Sequence, residues 1–303
     1  MTYDTFIKEL TSTLTCELGP SYHLRLNRLM KNNDTYRESL VILAEGENVS
    51  PAFCLGDCYK MYQNGEDVRE ISRQILEMYR SDHIAKTIDM DFLLDWDRVR
   101  DRIVCRLIGA GRNRERLQSV LHRRVLDMAV IYRYEFETDR DYTASLIIEN
   151  DLAGKWGVSP AQIDEAAREN TKKLLPPLFQ TMEQIMADLM GDYVPGEQNG
   201  NLFVLTNEKR MHGAYWFSDG DVLEDIRQKI GDGFLILPSS VHECMIIPEG
   251  MGPDPKELAL MVREINRREV APDEVLTDSV YRYRRETGLQ IEVWQGSDLA
   301  GTS

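Results

Sequence analysis

The residues with the most chemical capacity lie in an arginine-rich segment, residues 98–124. Nine arginines occur there with only two acids, an excess of seven positive charges in a chain whose net charge is −15. Guanidinium groups bind phosphates and carboxylates through paired hydrogen bonds. The segment therefore predicts a binding surface for an acidic protein partner or for nucleic-acid phosphate. The predicted binding residues are Arg112, Arg114, Arg116, Arg123 and Arg124.

Arg112 and Arg116 are the pair that we expect to reach a ligand. If a helix begins at Arg112, residues four apart lie side by side, and Arg114 points away from them. The alternative is that these arginines pair with acids of the same molecule, which the surplus of acids favours. The segment contains no interleaved aromatic residues of the kind that stack on bases.

A second group of candidates could support catalysis. His242 and Cys244 lie two apart in a predicted strand, where both side chains would share one face and could bind zinc or form a Cys-His nucleophile pair. The chain has no second ligand pair at zinc-finger spacing and no HExxH motif, so a buried core cysteine is the alternative. No metal and no cofactor are predicted. An enzyme would have to be built on scattered groups, namely His122, Asp127, His242 and Cys244.

Two short patterns have ordinary structural explanations. Three residues separate Cys54 from Cys58, a spacing that redox or metal chemistry could use, but the intervening residues are typical of a strand-to-helix turn. Residues 109–111, Gly-Ala-Gly, could offer backbone amides to a phosphate. They lack the third glycine and the lysine of the usual phosphate loops, so a tight turn is the preferred interpretation.

These residues must be positioned by helices and strands, and the order of the predicted elements indicates an α+β protein. Its sheets are expected to be mixed or antiparallel, with helices packed on them. Residues 218–248 are its organising stretch. They predict a helix at 219–230, capped by Ser218 and ended by Gly231, then a buried central strand at 234–237 and a paired strand at 241–247. Two halves of similar size, 1–150 and 151–303, are expected to meet near Asn150. The central strands of the second half are predicted near 202–206, 234–238 and 241–247.

The remaining elements follow from hydrophobic spacing and from turn and cap residues. The predicted helices are an opening helix with Phe6, Leu10, Leu14 and Leu18 on one stripe, then 66–80, 90–102, 117–121, a helix capped by Ser159 with Pro160 and Gln162, 178–189 ended by Gly191, and a last helix from Asp254 with Leu258, Met261, Val262 and Ile265 inward. The predicted strands are 21–28, 36–43, 52–55, 103–108, 125–132, 144–148, 280–283 and 289–294, with a charged turn at 137–141 and a mobile tail at 295–303.

Composition limits the setting of the protein. No run approaches the about 20 apolar residues of a membrane helix, and the N-terminus lacks the order of a signal peptide. Five cysteines, an odd and scattered number, fit free thiols in a reducing compartment. We expect a cytoplasmic protein without membrane contact. The net charge argues against wholesale binding of nucleic acid or acidic membranes.

Several segments in a fixed order carry a family resemblance. They are VSPAFCLGDCYKMYQNGEDVREI, IGAGRNRERL, HRRVLDMAVIY, WGVSPAQIDEAARENT, NLFVLTNEKRMHGAYW and FLILPSSVHECMIIPE. Together they resemble an uncharacterised family of clostridial bacteria, domain of unknown function 5688, and residues 49–248 are distantly similar to the YtpQ-like proteins of bacilli. The resemblance implies a bacterial cytoplasmic protein, often carried by mobile elements, and assigns no catalytic residue.

The sequence thus leaves two function classes. The leading hypothesis is a noncatalytic binding or accessory protein, because complete catalytic and cofactor motifs are missing and charge is segregated. The alternatives are a hydrolase-type or metal-dependent enzyme or, within the binding class, a nucleic-acid-binding protein that uses the arginine-rich segment 98–124.

Overall fold

A computed structural model describes residues 1–81, 89–136, 145–190 and 201–294. Contacts divide the chain into two compact units. Unit 1 is Met1–Lys31 with Thr35–Leu93, and unit 2 is Asn32–Asp34 with Leu94–Ser303. The boundary expected near Asn150 stays a prediction, because a division by contacts does not show which parts fold by themselves.

The described elements confirm an α+β fold, and every described strand pair is antiparallel. The helices are α1 (Tyr3–Leu18), α2 (Leu55–Gln63), α3 (Val68–Ser81), α4 (Met90–Leu94), α5 (Trp96–Val99), α6 (Arg116–Ser119), α7 (Asn150–Lys155), α8 (Pro160–Leu174), α9 (Met182–Met190), α10 (Gly220–Ile230) and α11 (Pro255–Arg268). The strands are β1 (Tyr22–Met30), β2 (Tyr36–Ala44), β3 (Ala52–Cys54), β4 (Ile103–Gly109), β5 (His122–Val125), β6 (Met128–Glu135), β7 (Ser145–Ile147), β8 (Pro177–Thr181), β9 (Phe203–Asn207), β10 (Gly233–Leu237), β11 (Cys244–Pro248), β12 (Val280–Arg284) and β13 (Gly288–Val293).

In unit 1, helices α1 and α2 pack against the sheet β1-β2-β3, and α3 packs against α1 and α2. Phe6, Leu10 and Leu14 lie on one stripe of α1 and are fully buried, because residues four apart share a helix face. The helix ends at Gly19, whose φ of 80° suits a residue without a side chain. The predicted opening helix and the hairpin of β1 and β2 are therefore confirmed.

The described residues of unit 2 form two sheets. One has the strand order β4-β6-β5, with β7 paired to β6, and the other has the order β13-β12-β10-β11-β9-β8. Strand β10 lies inside the second sheet, and its residues 234–237 are buried, as an unbroken apolar run predicts. It forms the predicted hairpin with β11.

Helices cover these sheets. On the larger sheet, α11 contributes Leu258, Ala259 and Val262 to the core, whereas Met261 and Ile265 are exposed. The prediction that Met261 and Ile265 point inward is wrong. The buried face of α11 passes through Leu258, Ala259 and Val262, and Met261 and Ile265 lie beside this face. On the smaller sheet, α8 packs against β4, with the cap, proline and capping box that its sequence predicts.

Several predicted elements differ from the structure. Residues 177–181 form β8, paired to β9, so the helix predicted from Leu178 begins only at Met182. The strand predicted at 125–132 is interrupted at Leu126, whose φ is 54°, and is replaced by the hairpin of β5 and β6. The helix predicted at 90–102 is broken at Asp95, which caps α5.

The cap of α10 is Asp219 and not Ser218, since the Asp219 carboxylate accepts from two backbone N–H groups. Helices α2 and α7 were not predicted.

Some predictions lie outside the described residues, namely the turn at 137–141, the helix end at Gly191 and the tail at 295–303. In the part of the chain that the structure describes, no helix has the length and apolar character needed to cross a membrane.

Candidate functional site

The arginine-rich segment turns sharply where β4 ends. A side chain at Gly109 would place its Cβ 2.4 Å from the backbone oxygen of Leu276, so only glycine permits this approach. The backbone N–H of Ala110 then donates to the oxygen of Asp127 at 3.0 Å. The tight-turn interpretation of residues 109–111 is thus confirmed, and the turn brings β4 next to the residues that precede β12.

Polar side chains hold the loop that follows. Asn113 is fully buried, and its amide donates to the oxygen of Gly109 at 2.8 Å and accepts from the backbone N–H of Asn33 at 2.8 Å. The carboxylate of Asp34 accepts from the backbone N–H groups of Glu115 and Arg116. Asn33 and Asp34 belong to unit 2 with this loop.

Arg112 and Arg116 do not share a helix. Helix α6 begins only at Arg116 and is a single turn long, while Arg112 lies in the turn before it. Arg116 is buried and Arg112 is partly exposed. The expectation of an exposed pair at helical spacing is therefore wrong, since the local hydrogen bonds favour a loop over a longer helix.

A cavity of about 280 Å³ opens beside the Gly109 turn. Three of the five predicted binding arginines line it, together with one of the predicted catalytic residues. Its lining consists of Gly109, Gly111, Arg112, Arg114, Arg124, Asp127, Leu276, Thr277, Asp278 and Trp294. We call this the arginine cavity.

Arg112 is tied to its own molecule. Its Nη2 lies 2.6 Å from Oδ2 of Asp278, whose other carboxylate oxygen accepts from Nδ2 of Asn266 at 2.7 Å. The side chain of Asp278 is only 12% exposed. Arg112 therefore pairs with an acid of the same molecule, and this ion pair forms one wall of the arginine cavity.

Asp127 is also engaged. Its Oδ1 accepts from the hydroxyl of Tyr281 at 2.6 Å, and its Oδ2 accepts from the hydroxyl of Ser279 at 3.3 Å. Burial and the Asp127 charge raise the pKa of Tyr281 well above its ordinary value, so the phenol stays a donor. Both carboxylates of the arginine cavity are thus occupied by groups of the protein.

Arg124 and Trp294 leave the arginine cavity open to a ligand. Arg124 is exposed, and within the described ranges its side chain makes no hydrogen bond or ion pair. Trp294 is 61% exposed, the largest accessible fraction among the four tryptophans. The site therefore combines positive charge with an aromatic face that the sequence does not show inside the arginine-rich segment.

Comparison with known proteins adds a family. The chain matches the Family of unknown function (DUF5688) over residues 3–285. The chain belongs to this family. No curated protein and no solved structure gave a match. The family match includes the arginines and both carboxylates of the arginine cavity and stops before Trp294.

Arg123 of this DUF5688 protein lies apart from the arginine cavity. Successive residues of a strand point to opposite faces, so Arg123 and Arg124 diverge on β5. Nε of Arg123 lies 3.1 Å from Oδ1 of Asp164, which also accepts from the hydroxyl of Tyr132 at 2.7 Å. This arginine is bound within the molecule.

The candidate catalytic residues are not brought together. His122 contacts the oxygen of Val120 through Nδ1, and within the described ranges no hydrogen bond, ion pair or ring contact joins any two of the four candidates. Strand β11 begins at Cys244, so His242 precedes it and the expected shared strand face is wrong. Burial raises the pKa of the Cys244 thiol well above its ordinary value, which disfavours a thiolate nucleophile. Catalysis by these residues stays a prediction.

The cysteines are separate thiols. All five are free, and Cys54 and Cys58 lie on either side of the junction between β3 and α2, as the turn interpretation predicts. Burial raises the pKa of the Cys58 thiol to about 11. Across the described residues no group of three or more His, Cys, Asp or Glu side chains is placed to hold a metal ion.

Proposed function

We propose that this DUF5688 protein is a noncatalytic binding or accessory protein whose arginine cavity takes a phosphate of single-stranded nucleic acid. The observation that carries the proposal is the exposed pair of Arg124 and Trp294 on one cavity whose carboxylates are already occupied. A guanidinium binds a phosphate, and an indole stacks on a base.

Charge supports this ligand class. Three arginines line the arginine cavity with two aspartates, and those aspartates accept hydrogen bonds from Arg112, Asn266, Tyr281 and Ser279. An anion in the cavity would therefore meet a positive excess. Because the whole chain carries −15, we expect weak binding that is confined to this site and sensitive to salt.

Size favours a single nucleotide unit. The cavity volume of about 280 Å³ lies just below the roughly 300–1,000 Å³ of common small-molecule sites. A nucleotide could bind both exposed groups, with its phosphate at Arg124 and its base stacked on Trp294. The acidic side chain of a protein partner would bind only Arg124. The free thiols fit the bacterial cytoplasmic setting that belongs to the same proposal.

Tryptophan fluorescence tests the proposal. We expect a short single-stranded oligonucleotide to quench it at about 50 mM salt and to lose most of its binding at about 200 mM salt. Trp294→Ala should weaken binding by about 1–3 kcal/mol, the value of one stacked base. Arg124→Glu should abolish measurable binding, while Arg285→Glu, an exposed arginine outside the cavity with the same charge change, should retain it.

Two outcomes would redirect the proposal. Equal losses in Arg124→Glu and Arg285→Glu would mean that the attraction is general and the cavity is not the site. Binding of a poly-glutamate peptide without oligonucleotide binding would favour an acidic protein partner. A stoichiometric transition metal in the purified protein would instead favour the enzyme alternative.

A further inference from the structure

A second group of basic side chains lies inside unit 2, away from the lining of the arginine cavity. Strands β4 and β6 pair Val104 with Arg133 and Arg106 with Ile131. Directly paired residues share a face of the sheet, so Arg106 and Arg133 are diagonal neighbours on one face. Burial, together with the charges of Arg133 and Arg116, lowers the pKa of Arg106 to about 9, which leaves it charged at neutral pH.

His212 faces the same group. It adopts a left-handed backbone with φ 57°, and its ring stacks on His242 with the centroids 5.2 Å apart. The backbone N–H of His212 donates to Nδ1 of His242 at 3.3 Å, so the proton of His242 is on Nε2, which lies 3.6 Å from Glu274. Burial and the charges of Arg106 and Arg133 lower the pKa of His212 far below its ordinary value, so its ring is neutral.

Acids do not neutralise this group fully. Arg133 is paired with Glu135. Asp273 also acts on Arg106, but the described part of the chain gives the Arg106 side chain no ion pair and no hydrogen bond. Nε of Arg106 and Nδ1 of His212 are both buried without a partner among the described residues.

Nε of Arg133 is likewise buried without a partner among the described residues, so three neighbouring side chains indicate a missing hydrogen-bond partner. Buried polar groups are almost always hydrogen-bonded, and buried charges are paired. Arg106 and His212 each keep part of their side-chain surface accessible, whereas Nε of Arg106 and Nδ1 of His212 are themselves enclosed. A neutral imidazole can donate through Nδ1, and a guanidinium donates in a planar fork.

We propose that Arg106, Arg133 and His212 form a binding site for a small tetrahedral oxyanion, with inorganic phosphate as its probe. The two guanidinium groups would donate to the oxygens of the anion, and Nδ1 of His212 would complete the set of donors. The anion would offset the single positive charge by which Arg106, Arg116 and Arg133 exceed the two acids Glu135 and Asp273. This site is separate from the arginine cavity and does not depend on the proposed nucleic-acid binding.

Calorimetry and thermal unfolding test this inference on the full chain. Potassium phosphate, compared with potassium chloride at equal ionic strength, should bind with saturation at one site per chain by calorimetry. Above Kd it should raise the Tm in proportion to the logarithm of the phosphate concentration. Arg106→Met keeps the length of the side chain and removes the donors, so the phosphate response should disappear. Arg285→Met is the matched control, because Arg285 is exposed and lies outside both sites, and it should keep the full response. Arg124→Met reports any phosphate that binds in the arginine cavity.

The outcomes separate the two sites. A wild-type chain without any phosphate or sulfate response overturns the oxyanion site and leaves water as the partner of the orphaned atoms. A response that survives in Arg106→Met and disappears in Arg124→Met also overturns it, by assigning phosphate to the arginine cavity. If Arg106→Met does not fold, Arg106→Lys serves instead: it keeps the charge without the planar fork and should weaken phosphate binding at least tenfold.

Discussion

Arg124 in the arginine cavity and Arg106 on β4 come from one arginine-rich segment and reach opposite environments. Arg124 is exposed beside an exposed indole, whereas Arg106 is enclosed with Arg133 and His212. Charge density in a sequence therefore identifies an arginine-rich region but does not tell which guanidinium groups meet solvent. Strand alternation and the local turn decide that.

The largest expected difference between buried and exposed arginines is in folding stability. Arg116→Ala should lower the free energy of unfolding by about 2–4 kcal/mol, because Arg116 is only 8% exposed and its removal leaves a cavity and deprives neighbours of contacts. Arg124→Ala should change it by less than about 0.5 kcal/mol. Urea unfolding measures both values, and equal effects would refute the division into buried and exposed arginines.

Two aspartate–arginine ion pairs have the same nitrogen–oxygen distance but differ in the exposure of the aspartate. Arg112 with Asp278 and Arg227 with Asp232 each have a nitrogen–oxygen distance of 2.6 Å, but Asp278 is 12% exposed and Asp232 is 93% exposed. Asp278→Asn should cost about 1–3 kcal/mol, since it weakens two hydrogen bonds of a buried carboxylate. Asp232→Asn should cost less than about 1 kcal/mol. Urea unfolding of both variants checks this, and a reversed order would contradict the structure.

A smaller effect concerns pH at the enclosed group. The pKa of His212 in the folded chain lies below its ordinary value of 6.5, because of burial and the charges of Arg106 and Arg133. As the pH falls below 6.5, the unfolded chain gains this proton first, so folding stability decreases. His212→Gln removes the effect and should lose about 1.4 kcal/mol less than the wild type between about pH 7.5 and about pH 5.5. Parallel stability curves in phosphate-free buffer would show that His212 is not enclosed by positive charge.

Local patterns predicted much of the fold. The stripe of α1, the capping box of α8 and the apolar run of β10 each depend on neighbours in sequence, and the structure confirms them. Residues 178–181 are predicted as helix because apolar spacing alone cannot reveal that β9 pairs with them. The exposed side chains of Met261 and Ile265 show the same limit, since the width of an apolar stripe does not fix which edge is buried.

The site was predictable only in part. The glycine turn and Arg112, Arg114, Arg124 and Asp127 stood out in the sequence, and the structure brings them to one cavity. Asp278 and Trp294 did not stand out, because their contribution depends on how residues more than 150 positions away pack against the Gly109 turn. Arg133 and His212 were missed for the same reason: each is ordinary in its own segment.

Chemical modification of arginine tests the central division most directly. Phenylglyoxal, applied to the native chain and read by mass spectrometry at each arginine, should modify Arg124 quickly and leave Arg106, Arg116 and Arg133 unmodified until urea unfolds the chain. A saturating single-stranded oligonucleotide should protect Arg124. Native modification of Arg116 at the rate of Arg124 would contradict the assignment of buried and ligand-facing arginines.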